Sequence, residues 1–380
     1  MIPLVKPEIS DDDVASVTEV LMSGQLVQGP QVEAFEQELA HLSGTRHAVV
    51  LDNGTAALVA SLLATGVTPG SHVIVPGYSW IATANAVSLV GATPVFVDID
   101  TGTHAIDVEL LAECCKNMVA GGEIPMAIVP VHPFGYVADM IAIEEIAARF
   151  EIGIIEDAAC ALGATLEGRP AGSIGQMGIF SFHPRKVITT GEGGALVTND
   201  PSAAAFARAY RNHGQTTRDG VRRFDGPGDN RRMTDFQAAL GRSQLRRLPA
   251  TLEGRRSALN RYVGALDGDL VKFQEFEWER TAAQSAVATL DERIDRDRFI
   301  GELRRRGVET SVGTIDMTTA EHFKGLDGRW SPPCDVTRDV AARSISLPLW
   351  SQISSDTCGE VISNVLQVLD EAETNGCIRD

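Results

Sequence analysis

The residues of this chain whose types and spacing suit chemistry fall in three places, each just behind a run of apolar, largely β-branched residues. The first is Asp52-Asn53-Gly54-Thr55, which follows Ala48-Val49-Val50-Leu51 and opens a helical pattern. Backbone N–H groups at a helix start, together with the positive end of the helix dipole, cradle a phosphate. On so short a segment alone, an ordinary N-cap at Asn53 or Thr55 is the favoured explanation. The second is Glu156-Asp157-Ala158-Ala159, closing the run Ile152 to Ile155. A carboxylate there commonly caps the next helix, but it can also keep a pyridine-type nitrogen protonated, because an adjacent anion stabilises the cation. The third is Ser181-Phe182-His183-Pro184-Arg185-Lys186, followed by the turn Thr190-Gly191-Glu192-Gly193-Gly194. A lone lysine is usually a solvated surface charge. Lys186, however, sits between an apolar strand pattern and a glycine-rich turn, and Pro184 excludes a regular helix or central strand around it. A partly desolvated amine attacks carbonyls to form Schiff bases. The order along the chain is phosphate cradle, acid, lysine.

Positioning three such groups together is work for a parallel sheet, in which ligands gather where strands end and helices begin. Seven runs read as strands: Ala48–Leu51, Val73–Pro76, Pro94–Asp98, Ala127–Val131, Ile152–Asp157, Gly178–Phe182 and Ala195–Thr198. Near-continuous apolar runs suit strands buried on both faces. Helices fall between several of them, as at Thr55 to Ala64, closed by Gly66, and Ile141 to Ala148. The pattern predicts a wound α/β architecture with a mainly parallel seven-stranded sheet flanked by helices. After about Leu245 the texture shifts to charged helices, such as Leu252 to Leu266 and Arg296 to Arg306, with few buried-strand runs. The expected division is a large domain over residues 1–245 and a smaller C-terminal α/β domain over 246–380. Asp225-Gly226-Pro227-Gly228-Asp229 reads as an exposed loop.

Bulk properties narrow the partners. A formal charge of −18 argues against a general nucleic-acid or membrane-surface binder, since phosphate backbones are held by excess lysine and arginine. No apolar run reaches the roughly 18 residues of a spanning helix, and Met1 to Pro7 lacks the apolar core of a signal peptide. A cytoplasmic protein is expected. Cys114, Cys115, Cys160, Cys334, Cys358 and Cys377 show no CxxC spacing, and the eight histidines form no HExxH pattern, so neither disulfides nor a metal site is indicated.

Taken in order, several segments resemble the DegT/DnrJ/StrS aminotransferase family. They are Gln28-Gly29-Pro30, Gly54-Thr55-Ala56-Ala57-Leu58, Val75-Pro76 with Trp80-Ile81-Ala82-Thr83-Ala84, and Glu156-Asp157-Ala158-Ala159. They continue with Ser181-Phe182 and Lys186, Thr190-Gly191-Glu192-Gly193-Gly194, and Asn230-Arg231-Arg232-Met233-Thr234-Asp235 followed by Gln237-Ala238-Ala239 and Gln244-Leu245. The agreement runs from about residue 3 to 250, with a looser echo at Leu347-Pro348-Leu349. The resemblance implies the fold-type-I aminotransferase architecture and a homodimer with active sites shared between subunits. It implies pyridoxal 5'-phosphate (PLP) held as an internal aldimine by Lys186, with pyridoxamine phosphate as intermediate. Asp157 would pair with the pyridine nitrogen, Trp80 would stack on the ring, and Gly54, Thr55 and Ser181 would contact the phosphate. Asn230 would reach the phosphate of the neighbouring subunit. The implied reaction moves an amino group from glutamate or glutamine to a keto-sugar, most readily a nucleotide-linked one.

Three positions depart from the family pattern. Cys160 replaces a polar residue near the cofactor's 3-hydroxyl, and a thiol is a poor hydrogen-bond partner. Arg231 and Phe134 stand where tyrosine is frequent, which marks them as substrate-side changes. Arg222, Arg223, Arg231 and Arg232 form a basic cluster; with His183 they are candidates to meet a diphosphate or a donor carboxylate, against the alternative of a surface salt-bridge network. Other readings are an aminotransferase acting on a free cyclitol ketone of inosose type, another fold-type-I enzyme such as a desulfurase or decarboxylase, and a non-catalytic regulatory protein that binds PLP. The apolar neighbours Ala158, Ala159, Ala161 and Leu162 suit a packed thiol better than a persulfide carrier. Intact Lys186 and Asp157 count against the regulator.

Overall fold

The β-branched runs predicted from the sequence form one seven-stranded sheet in a computed structural model that describes residues 1–326 and 328–374. Cys377 lies outside the described residues. The strands are β1 (His47–Leu51), β2 (His72–Pro76), β3 (Thr93–Val97), β4 (Ala127–Ile128), β5 (Gly153–Asp157), β6 (Met177–Ser181) and β7 (Gly194–Thr198), ordered β1-β7-β6-β5-β4-β2-β3. All neighbouring pairs are parallel except those of β7, which runs antiparallel to both β1 and β6. Both faces are buried, and the period-two alternation of strands divides each one between two cores. Val50, Ile74, Ile154, Phe180 and Val197 enter one core, whereas Val49, Val75, Ile155, Ile179 and Leu196 enter the other.

Helices α1 (Asp11–Ser23), α2 (Pro30–Leu42), α3 (Gly54–Ala64), α4 (Ala82–Leu89), α5 (Val108–Ala120), α6 (Met140–Phe150), α7 (Pro201–Tyr210) and α8 (Asp235–Leu245) surround this sheet. Four of their starts share one capping pattern. Asn53, Asp107, Asp139 and Asp200 each accept a first-turn backbone N–H at the head of α3, α5, α6 and α7, which satisfies donors that the helix itself leaves unmatched.

The chain then changes core. Helix α9 (Leu248–Leu266) starts with Leu248 and Leu252 packed in the sheet's first core and ends with Tyr262 and Leu266 in a third. The third core lies between α9, α10 (Arg296–Arg305), α12 (Ser355–Thr374) and a four-stranded antiparallel sheet. Its strands are β10 (Val271–Phe273), β11 (Ala286–Leu290), β12 (Ser311–Val312) and β13 (Ser344–Leu347), ordered β10-β11-β13-β12. The hairpin β8 (Gln215–Arg218) and β9 (Val221–Phe224) precedes α8. The sequence texture after Leu245 suggests few strands, because these are short and built of alternating small and apolar residues such as Ser344-Ile345-Ser346-Leu347. Their burial comes from the helices laid on them.

A segment between β12 and α11 (Asp335–Arg343) returns to the large sheet. Ile315 and Asp316 pair with Ser79 and Tyr78, and the Met317 amide donates to the Gly77 carbonyl. Asp98, just past β3, accepts from the amides of Val336 and Thr337 and so caps α11 from across the fold. Among the described residues no helix is long and apolar enough to cross a membrane.

Candidate active site

The first turn of α3 is built by two glycines as much as by its cap. Asn53 Oδ1 accepts from the Ala56 amide at 2.8 Å, and Asn53 Nδ2 donates to Asp52 Oδ1 at 3.1 Å. A Cβ on Gly54 would stand 3.0 Å from Ser181 Cβ, and one on Gly194 would stand 2.5 Å from the Asn53 carbonyl carbon. The bare backbones let the β1–α3 turn lie directly on the end of β6 and the start of β7. Among the described residues no protein acceptor meets the amides of Gly54 and Thr55, and both residues face the same opening as Ser181. Asn53 is therefore the cap, and the two residues after it carry the free donors.

At the end of β5 the two acids point in opposite directions. Glu156, fully buried, binds the amides of Gly172, Ile174 and Gly175 and the Nε2 of His132. Because His132 Nδ1 accepts from the Ala138 amide, Nε2 carries the ring proton and donates to the carboxylate. This pair fixes the loop beside β5. Asp157, 6% exposed, turns to the cavity; its Oδ2 accepts from Thr83 Oγ1 at 2.7 Å and its Oδ1 from the Ala159 amide at 3.3 Å. Thr83 is itself 1% exposed and lies 3.3 Å from Ser79 Oγ.

Lys186 stands on the β6–β7 connection. Phe182 is its anchor: the amide donates to the Gly193 carbonyl, while the Phe182 carbonyl accepts from the Thr190 amide and Thr189 Oγ1. Inside that closure the Lys186 amide donates to the His183 carbonyl, and Gln284 Nε2 holds the Arg185 carbonyl at 3.0 Å. The Lys186 amine donates to Cys160 Sγ at 3.0 Å. His183 Nδ1 accepts from the Arg185 amide. Burial, helped by the nearby cations Lys186 and Arg185 and only partly opposed by Glu192, lowers the His183 pKa below the usual imidazole value.

These groups converge on one cavity of about 540 Å³. Gly54, Thr55 and Ser181 form one end, Asp157 with Thr83 the floor strand's end, and Cys160, His183 and Lys186 another side. Trp80 also lines it yet remains 65% exposed. Phe134 completes the wall at a positive φ of 56°, with its ring edge-on to Tyr78 at 6.0 Å. Residues on and beside the four-stranded sheet line the cavity with neutral hydroxyls and an amide: Gln284, Ser285, Ser311, Thr314 and Ser346.

Three sequence candidates stand outside this protomer's cavity. Arg223 is exposed on β9, and Asn230 is exposed beside a backbone bridge to Asn212. Arg231 pairs with Asp229 at 2.6 Å and Asp52 at 3.5 Å, behind the Asn53 cap, and its carbonyl accepts from the Asp52 amide. Arg232 binds Asn212. The salt-bridge reading thus describes Arg231 within one subunit. Sequence reasoning did not single out Thr83, whose only signal is its place three residues after Trp80, nor the cavity-lining hydroxyls.

The chain matches the model of the DegT/DnrJ/EryC1/StrS aminotransferase family over residues 7–366. It is 34% identical to the spore coat polysaccharide biosynthesis protein SpsC of Bacillus subtilis, covering 98% of both chains. Among solved structures it resembles a DegT DnrJ EryC1 StrS aminotransferase from Brucella abortus, with a TM-score of 0.86 and 31% identity over 94% of this chain and 95% of that one. It also resembles Spr1654 of Streptococcus pneumoniae in its PLP form, with a TM-score of 0.89 and 28% identity over 97% and 99% of the two chains. The fold-type-I sheet, the cavity at its strand ends and these matches together show that the chain belongs to the DegT/DnrJ/EryC1/StrS family and is a PLP-dependent sugar aminotransferase.

Proposed function

We propose that this enzyme takes an amino group from glutamate or glutamine and delivers it to the keto group of a nucleotide-linked sugar, with PLP carried covalently on Lys186. The observation that supports this reading is the convergence, in one cavity, of an amine, a braced carboxylate and unmatched helix-start amides. Each matches one part of PLP. The Gly54 and Thr55 amides and the Ser181 hydroxyl would hold the phosphate, Asp157 the ring nitrogen, Trp80 a ring face, and Cys160 would lie near the 3-hydroxyl. When bound, PLP accepts the amino group in one half-reaction and releases it to the ketone in the next, its ring serving as the electron sink.

The chain's own residues do the rest. Asp157, with one oxygen held by Thr83, keeps a negative charge aimed into the cavity and so favours a protonated ring nitrogen. Lys186 Nζ moves the proton to and from the reacting carbon. The cavity-lining hydroxyls of Ser285, Ser311, Thr314 and Ser346 offer neutral donors and acceptors suited to a polyhydroxylated ring. Similarity to a polysaccharide biosynthesis protein supports a sugar as acceptor.

The reading includes a homodimer working in the cytoplasm. Support for the dimer is the exposure of Trp80 at the cavity and of Asn230 and Arg223 outside it. Asn230 would then reach the neighbour's phosphate site, and Arg223 or Arg231 the sugar's diphosphate.

The test is a half-reaction. PLP-loaded enzyme titrated with glutamate, glutamine and alanine should convert from the yellow PLP form to the pyridoxamine form with one of the first two donors. Lys186→Ala should retain PLP through the phosphate and ring contacts yet show no turnover. A visible band that no donor bleaches sinks the proposal.

A further inference from the structure

Cys160 is the one described cysteine with access to the cavity. Cys114, Cys115, Cys334 and Cys358 are fully buried, so no other described thiol is open to solvent. Its Sγ lies 3.0 Å from Lys186 Nζ. Both side chains spring from fixed backbone. The Lys186 turn is closed by its own amide on His183 and held by Gln284. Opposite it, the Ala161 amide donates to the Ala158 carbonyl, and the Cys160 carbonyl packs so closely on Gly135 that a Cβ there would stand 2.9 Å away. Gly135 holds a φ of +99°, so this approach is built into the loop.

We propose that Cys160 and Lys186 are a peroxide-dependent modification site: a reversible sulfur–nitrogen cross-link that closes the cavity to PLP. A hydroperoxide oxidises the thiol by two electrons, giving a sulfenic acid and water (or the alcohol of an organic peroxide). The Lys186 amine, after giving up its extra proton to water, attacks sulfur through its lone pair. The S–N bond forms, the S–O bond breaks, and the hydroxyl leaves with an amine proton as a second water. A sulfenic acid ordinarily condenses with a thiol or a nearby nitrogen, and here the nitrogen is already in contact. Two equivalents of an external thiol reverse the change: the first displaces the amine as a mixed disulfide, and the second releases the Cys160 thiol. The same amine cannot carry PLP while bound to sulfur. This consequence rests on the assignment of Lys186 as the cofactor's lysine; the cross-link does not.

The experiment compares enzyme stripped of PLP with enzyme loaded with PLP, both treated with hydrogen peroxide and read by intact mass and peptide mapping. The stripped protein should lose two hydrogens, yield a linked peptide joining Cys160 to Lys186, and fail to develop the visible PLP band until dithiothreitol is added. Cys160→Ser should give no linked peptide, and Lys186→Ala should instead gain two oxygens at Cys160 as the sulfinic acid. Loaded wild-type enzyme should be protected. Sulfinic acid at Cys160 in the stripped wild type, with no linked peptide, overturns the proposal. A linked peptide forming equally fast in loaded enzyme overturns Lys186 as the cofactor's lysine and the blocking role with it, while the cross-link stands.

Discussion

Thr83 shows how much a single hydroxyl decides. A carboxylate 6% exposed at a strand end needs donors for its oxygens, and Thr83 supplies one at 2.7 Å. Replacing it with valine keeps the volume but leaves a buried, charged oxygen short of a partner. Hydrogen bonds to charged groups are worth about 1.5–3 kcal/mol, so Thr83→Val should slow the donor half-reaction roughly ten- to a hundredfold by that arithmetic. Stopped-flow absorbance measures it. A half-reaction rate equal to wild type would show that the bond does not hold Asp157 for chemistry. Asp157 and Lys186 stand out in the sequence because each follows an unmistakable apolar strand. Thr83 does not, since its partner lies 74 residues away and only the folded sheet brings α4 over the end of β5. The opposed directions of Glu156 and Asp157 follow from strand alternation, but which of the two faces the cavity depends on where His132 and the Gly172–Gly175 amides lie.

At the level of elements, all seven strands of the large sheet are legible as apolar runs, and the start of α3 as a cap at Asn53. Less legible is the direction of β7, because hydrophobic pattern reports burial and not polarity. The two glycines at the β1–α3 turn give this scale its test. Asn53→Ala removes a cap and should cost about 1 kcal/mol, seen as a small shift of the urea midpoint. Gly194→Ala places a methyl 2.5 Å from the Asn53 backbone, where no flexible side chain can yield. Its loss should exceed that of the cap variant and be accompanied by weaker PLP retention, because the strain falls on the peptide that presents the Gly54 amide. Equal stability of the two variants would mean that the turn can move freely.

Across the whole molecule, the N-terminal helix is tied to the junction of α8 and α9 through Asp13. Its two oxygens accept from both terminal nitrogens of Arg247 at 3.0 and 2.9 Å, and the Ser10 amide donates to Oδ2. Burial raises the Asp13 pKa, but the hydrogen bonds from Arg247 and Ser10 and the charge of Arg247 outweigh it and hold the carboxyl at about 2, below its ordinary 3.8. The folded state thus prefers the ionised form more than the unfolded chain does. That stability is fully present above about pH 4 and is lost as pH falls towards about 2. Asp13→Asn should lower stability at neutral pH and flatten this acid dependence, as urea midpoints between pH 2 and pH 6 would show. A variant with the slope of wild type would place the acid sensitivity elsewhere. This tie is hidden in the sequence, where Asp13 is only the last of three successive aspartates and its partner lies 234 residues away.

The antiparallel entry of β7 also governs how the enzyme comes to be assembled. β6 and β7 pair across a short connection, Ser181 with Gly194, so the loop that carries Lys186 is a local, low-contact-order unit able to close early. β1, made long before, has only β7 as its neighbour in the sheet, and His47 must wait for Thr198. The edge strand that aims α3 therefore has no sheet partner until β7 has been made. With β1 in place, the amides of Gly54 and Thr55 and the amine of Lys186 share one rim, so the strand that completes the phosphate cradle, β7, is the same one that closes the lysine loop.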